Sequence, residues 1–166
     1  MNKIKFLSII CSVILILASC SKPGLNTSVE IDKIKLEINK TIVNLNKAYP
    51  INPLTQELGP ANDIINVLVY AIVTVSEMAD IQKIKDWDVQ LFDANKNECR
   101  LNQVKASILD TIEGDENLFR FQVTWYFVGD KPTDLKAFNL HLPEEKIIPL
   151  DSLVELYEFG EKVENE

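Results

Sequence analysis

The run Ile64-Ile65-Asn66-Val67-Leu68-Val69-Tyr70-Ala71-Ile72-Val73-Thr74-Val75 is apolar almost throughout, broken only at Asn66 and Thr74, and its reading decides the fold. Pro60 suits a first helical position and Asp63 is favourable in an opening turn, so a helix is expected from about residue 60 to 75. A helix that is apolar on nearly all sides must be buried, which makes this segment the centre of the core. Its density of Val and Ile would also suit buried strands. A membrane span is a third possibility, but crossing takes about 20 apolar residues, and this run is shorter and carries Asn66 inside it.

Working outward toward the N-terminus, residues 50–59 hold Pro50, Pro53 and Gly59 and read as a loop between helices. Before them, Ile31, Ile34, Ile38, Ile42, Leu45 and Tyr49 recur at steps of three and four until Pro50. Thr27 and Glu30 form a capping-box pair at the start. This spacing predicts an amphipathic helix with Lys33, Glu37, Lys40 and Lys47 outward.

Toward the C-terminus the period changes from about 3.6 to 2 after Ile84. Trp87, Val89 and Leu91 alternate with Asp88 and Gln90, and Phe119, Phe121, Val123, Trp125 and Phe127 alternate with Arg120, Gln122, Thr124 and Tyr126. Both are expected to be strands with one face on a core. Val104, Ala106, Ile108 and Ile112 fit a strand, while Leu101, Val104, Ile108 and Ile112 also fit helical spacing; a strand is preferred, because turn-like residues at Asp93–Glu98 and Glu113–Asn117 would then make two successive hairpins. Phe138, Leu140 and Leu142 give a fourth strand, expected at an edge before Pro143. Pro149 with Asp151 or Ser152 prepares a short final helix through Leu153, Leu156 and Tyr157, and residues 161–166 form a charged tail. The expected fold class is therefore α+β: two N-terminal helices on one face of an antiparallel sheet of about four strands, with a short C-terminal helix, in one domain over residues 28–160. In outline this resembles the cone-shaped domains of the nuclear-transport-factor and cystatin types, a likeness of architecture without shared motifs.

The chain has 166 residues and a formal charge of −8, which disfavours nucleic acid as a partner, because phosphate binding needs clustered positive charge. With 46% hydrophobic and 25% charged residues it has the composition of a folding chain. Its first segment is of another kind. Lys3 and Lys5 precede an apolar run from Phe6 to Ala18, the length of a signal-peptide core and too short to span a bilayer. The run ends Leu17-Ala18-Ser19-Cys20. These residues resemble the lipobox of the bacterial lipoproteins: an aliphatic residue, two small residues and a cysteine. The resemblance implies cleavage between Ser19 and Cys20, removal of residues 1–19, a diacylglycerol group on the Cys20 thiol and commonly an acyl chain such as palmitate on the new amino group. It covers residues 1–20 alone and implies an address, a membrane partner through the lipid on Cys20. Two or three acyl chains hold a protein firmly to a bilayer where one does not. Ser21 is not the Asp that retains enterobacterial lipoproteins in the inner membrane, so the outer membrane of the bacterial cell envelope is the favoured location in a cell that has two membranes.

Cleavage would leave residues 20–166, on the order of 150 residues, with 20–27 as a tether and enough chain to bury a core. Loss of Lys3 and Lys5 makes the mature charge more negative by two, so anionic head groups would repel the domain. Cys11 leaves with the leader and Cys20 carries the lipid; Cys99 remains and is read as a small buried hydrophobe, since no His or Cys-x-x-Cys partner stands near it. The single histidine, His141, lies on the polar side of an expected strand without a nucleophile motif. Asp93-Ala94-Asn95-Lys96-Asn97-Glu98 begins like a calcium loop but has Glu98 where glycine belongs and Val104 at the closing glutamate position, so a polar hairpin turn is the better reading. No metal site, cofactor or catalytic residue is expected.

A binding surface is expected at Tyr126 and Val128, on the strand face away from the core, with Asp86 and Asp88 sharing a strand face around Trp87. The expected function is that of a non-catalytic, lipid-anchored envelope lipoprotein that binds a protein or assists envelope assembly. A small-ligand carrier or carboxylate enzyme with a pocket between sheet and helices, and an immunity-type lipoprotein that neutralises a basic toxin, are the alternatives.

Overall fold

The computed structural model describes residues 27–114 and 118–164. The expected leader, the expected lipidation position Cys20, the expected tether up to residue 26 and part of the Glu113–Asn117 turn lie outside the described residues.

The expected helices over residues 28–49 and 60–75 are strands, and the α+β expectation, with its cone-like outline, is overturned by a mostly β fold. The chain forms β1 (Ser28–Ile31), β2 (Ile34–Ala48), β3 (Asn62–Val75), a short helix α1 (Asp80–Lys85), β4 (Gln90–Asp93), β5 (Glu98–Ile112), β6 (Leu118–Asp130), β7 (Phe138–Leu142), β8 (Lys146–Pro149), a 3-10 turn at Asp151–Leu153, β9 (Val154–Glu158) and β10 (Glu161–Lys162). The expected C-terminal helix is that 3-10 turn followed by β9, and β10 takes up the start of the expected charged tail. Strands do occur where alternation placed them, at β5, β6 and β7, but inside a ten-stranded sheet of order β10-β9-β2-β3-β6-β5-β4-β7-β8, with β1 also on β2. β7 is not an edge, since it lies between β4 and β8.

The physical reason for the first correction is legible in the register. β2 and β3 pair antiparallel, with one irregularity between Ile38 and Lys40. On β2 the buried residues are Ile34, Leu36 and Ile38, then Thr41, Val43 and Leu45. An extra residue at Asn39 shifts the inward parity, as a bulge does, and creates a step of three that imitates a helical period. On β3 the inward set Ile65, Val67, Val69, Ala71, Val73 and Val75 is fully buried, while Ile64, Leu68, Tyr70 and Ile72 on the other face are half-buried. The outward residues of β3 are therefore shielded only in part, by the side chains beside them on β2 and β6. More than half of β3 is β-branched, which the pleat favours over a helix.

All pairings are antiparallel except that of β2 with β9. β8 and β9 stand far apart in the strand order but are joined by Leu150 to Leu153 alone. Four residues reach about 14 Å at most, so the sheet must curl until its flanks approach. Trp125, Phe127, Phe138, Leu91, Leu140 and Ile148 fill the inside. The molecule therefore has two ends. At the helix end, beyond Val75 and the Asp32–Lys33 turn, α1 inserts a fully buried Ile84, with Ile81 and Trp87 packed beside it. At the loop end, beyond Ala48 and Asp130, stand residues 49–61, the Phe159–Gly160 turn and the β4–β5 hairpin. No helix among the described residues is long and apolar enough to cross a membrane.

Candidate functional site

Outward side chains of the central strands meet in rows. Lys40, Tyr70, Thr124 and Lys105 stand in register across β2, β3, β6 and β5, and Ile42, Leu68, Tyr126 and Gln103 form the next row. A sheet face that meets only water is ordinarily polar. Here Ile42, Leu68, Tyr70, Ile72, Tyr126 and Val128 lie on it half-buried among one another. Tyr70, Thr124, Tyr126, Lys85 and Lys105 line a hollow of about 510 Å³. The Lys105 ammonium lies 5.0 Å from the centroid of the Tyr126 ring, within cation–π range. Burial raises the Tyr70 phenol above its ordinary value, Tyr126 adds to the rise, and Lys40 opposes it. Lys40 is itself held protonated to higher pH by its contact with Glu155 at 3.0 Å.

Tyr126 and Val128 thus lie on the outward face where they were expected. Asp86 and Asp88 do not sit on a strand. Asp86 closes α1, its N–H donating to the Gln82 and Lys83 carbonyls and its carboxylate accepting from Gln82 Nε2 at 3.3 Å. Asp88 is exposed in the connection to β4. The alternation around Trp87 comes from a helix exit, so it does not aim the two acids from one strand face. Ser19 and Cys20 lie outside the described residues.

The other candidates for chemistry resolve into structure. Asp93 Oδ1 accepts the N–H groups of Asn95 and Asn97, both at 2.8 Å, and Oδ2 accepts from Asn97 Nδ2 at 2.9 Å. This is a polar hairpin turn whose buried carboxylate is occupied by the turn itself. Among the described residues no three His, Cys, Asp or Glu side chains are grouped to hold a metal ion. Cys99 is buried, and its thiol is pushed up to about 11, first by burial and then by Asp93, Asp130 and Glu98. A thiol so placed is not a nucleophile near neutral pH. It sits over Gly129, where an added Cβ would come within 2.7 Å of Sγ. His141 packs against Phe92 in a tilted arrangement, with ring centroids 4.7 Å apart and planes inclined by 60°. Trp125 and Phe127 are buried in the core.

Sequence reasoning passed over the loop end. Tyr49, Ile51, Leu54, Leu58 and Phe159 are all exposed there. The loop is braced by its own hydrogen bonds. Ile51 bridges Leu58, Asn52 N–H donates to the Glu57 carbonyl at 2.9 Å, and Gly59 N–H donates to the Pro50 carbonyl at 2.7 Å. Asn52 Oδ1 accepts from Leu54 N–H at 2.9 Å, which sets Leu54 at the apex, 91% exposed. The signal was present as three large aliphatic residues among prolines with Glu57 as the one charge, where a solvent loop is usually polar.

No protein-family model, no curated protein and no solved structure matches this chain.

Proposed function

We propose that this protein is a non-catalytic lipoprotein of the bacterial cell envelope, anchored through a lipid on Cys20, whose β domain binds an envelope protein through the outward face bearing Tyr126 and Val128. The observation that carries the reading is the Leu17-Ala18-Ser19-Cys20 box at the end of an apolar leader. The half-buried apolar outer face, with Tyr70 and Tyr126 on it, supports a partner surface, because tyrosines are enriched at protein contacts. Lipid anchoring would confine that face near one membrane and raise its effective concentration for neighbours. The test is mass spectrometry of protein extracted from its own membranes, together with incorporation of labelled fatty acid. A mature chain starting at Cys20 and bearing diacylglycerol is expected, and Cys20→Ala should abolish the label. An unprocessed Met1 or a free thiol at position 20 would refute the anchor.

A further inference from the structure

We propose that the open edge of β5 pairs with the same edge of a second copy of this chain, antiparallel and centred on Ser107, so that two sheets become one. The pairing needs neither a lipid on Cys20 nor a partner on the outer face.

Most of this edge is bare. β4 pairs with β5 only through Leu91 with Cys99 and Phe92 with Glu98, whereas β6 pairs with it from Arg100 to Ile112. Among the described residues, no strand lies on the far side of β5 beyond Cys99, and no backbone hydrogen bond outside the ladders reaches that stretch. Every residue from Ser107 to Ile112 is exposed, on both faces of the strand. The large aliphatic ones are Ile108 at 53%, Leu109 at 46% and Ile112 at 44%. A strand held on one side only, apolar and without proline, presents a row of N–H and C=O groups whose complement is another strand. The unpaired backbone thus defines the kind of occupant, which a bare apolar patch does not. The other edges are short: β10 has two residues and β1 four, and β8 has four that begin at Lys146 and end at Pro149, both of which discourage pairing.

Self-complementarity selects the second copy. The register of β5 on β6 shifts between Ile108 and Asp110, which makes Leu109 an extra residue. Val104, Ala106, Ile108 and Thr111 therefore stand opposite the inward residues of β6, and Lys105, Ser107, Asp110 and Ile112 opposite the outward ones. Opposed residues of an antiparallel pair share a face. With Ser107 opposite its own copy, Ala106 meets Ile108 with Leu109 bulged beside it, Lys105 meets Asp110, Val104 meets Thr111 and Gln103 meets Ile112. Every pair then matches in face. The charges match as well. Lys105 makes no ion pair among the described residues, and neither does Lys85, which lines the same hollow beside Val104 to Ser107. Asp110 of the copy arrives beside both lysines, while its own Arg120 stays bonded to it, and symmetry makes the contact twice. Centring the pair on Lys105 or on Asp110 instead would set like charges face to face.

The test introduces Ser107→Cys into the full chain and oxidises membranes of the producing cells with copper phenanthroline, the parent chain serving as the blank for the native cysteines. Opposed Cα atoms about 5 Å apart suit a disulfide, so Ser107→Cys should give a covalent dimer. Lys35→Cys, exposed on β2, should not. Gln103→Cys and Ile112→Cys should each stay monomeric alone and cross-link when both are made in one cell, which fixes the register. Lys105→Glu sets carboxylates face to face twice, so it should raise the dimer dissociation constant of the detergent-solubilised protein about tenfold in sedimentation, with its circular dichroism unchanged. A protein that sediments as a monomer at every concentration overturns the proposal. So does cross-linking at Lys35→Cys as strong as at Ser107→Cys, or a dimer indifferent to Lys105→Glu. Capture of a different protein by Ser107→Cys, without self-linkage, would assign the edge to a foreign strand and overturn the second copy equally.

Discussion

The two ends of the curled sheet use the same residue types in opposite ways. At the helix end, Ile84 leaves water completely and Ile81 and Trp87 pack beside it, so a six-residue helix with no side-chain cap persists because it is a plug. At the loop end, residues 49–61 hold as many large apolar side chains, yet they project outward from a scaffold braced by its own backbone. Local structure in the first case is secured by burial, and in the second by hydrogen bonds made within the loop. A large apolar residue therefore serves the folding of the domain at one end and stays in solvent at the other.

Paired truncations put that contrast under the greatest strain. Ile84→Ala should destabilise the domain by about 3 kcal/mol through lost burial and the cavity left behind. Leu54→Ala, removing a side chain of similar size, should fall within about 0.5 kcal/mol of the parent. Denaturant unfolding of both variants measures this directly, and equal losses would mean that the loop apex belongs to the core. Just beneath the loop end, Gly129→Ala should cost about 2 kcal/mol, because its Cβ would come 2.7 Å from Cys99 Sγ. Adding Cys99→Ala should recover much of that loss, and a strictly additive pair would refute the contact.

Midway between the ends, Thr41 and Trp125 flank Val69 in one inward row of β2, β3 and β6, and each carries a buried polar atom without a hydrogen-bond partner among the described residues, Thr41 Oγ1 and Trp125 Nε1. A buried hydroxyl without a hydrogen bond is unfavourable. Thr41→Val, close in shape, should stabilise the fold by about 1 kcal/mol in the same unfolding assay. A loss of stability would show that the row uses the hydroxyl, and the middle of the sheet would then no longer count as a purely apolar core joining the two ends.

Much of the C-terminal half was legible in the sequence, because Phe119 to Phe127 alternates without a bulge and only a strand explains it. The N-terminal half was not. β2 carries its extra residue at Asn39, and the resulting change of parity put Ile34, Ile38 and Leu45 on what looked like a helical face. β3 hides its period because its outward residues Ile64, Leu68, Tyr70 and Ile72 are apolar or aromatic as well, so alternation has no polar partner to reveal it. The outer-face positions Tyr126 and Val128 followed from the alternation of β6. Asp86 and Asp88 did not follow, since the short helix before them gains its stability from the tertiary burial of Ile84, which local propensity does not record. The apolar loop was visible but was classified by its prolines and glycine alone, and its aliphatic residues were left unexplained.

The smallest effect concerns surface charge and separates the ends by a different property. Arg120 Nε donates to Asp110 Oδ1 at 2.7 Å on the helix-end half of the outer face. That hydrogen bond, reinforced by the guanidinium charge, holds the Asp110 carboxyl below its ordinary value of 3.8, and raises Arg120 in turn. A carboxylate with a depressed folded value stabilises the fold above its unfolded value, and the contribution disappears as the pH falls through the folded one. Asp110→Asn should therefore unfold at a slightly lower temperature than the parent at pH 7, and the difference should shrink when both are measured below pH 3.8. Because both partners are largely exposed, molar salt should shrink it as well. A difference that instead widened in acid would mean that the pair is not what orders this end of β5, and that the exposed Ile108 and Ile112 beside it make contacts of their own.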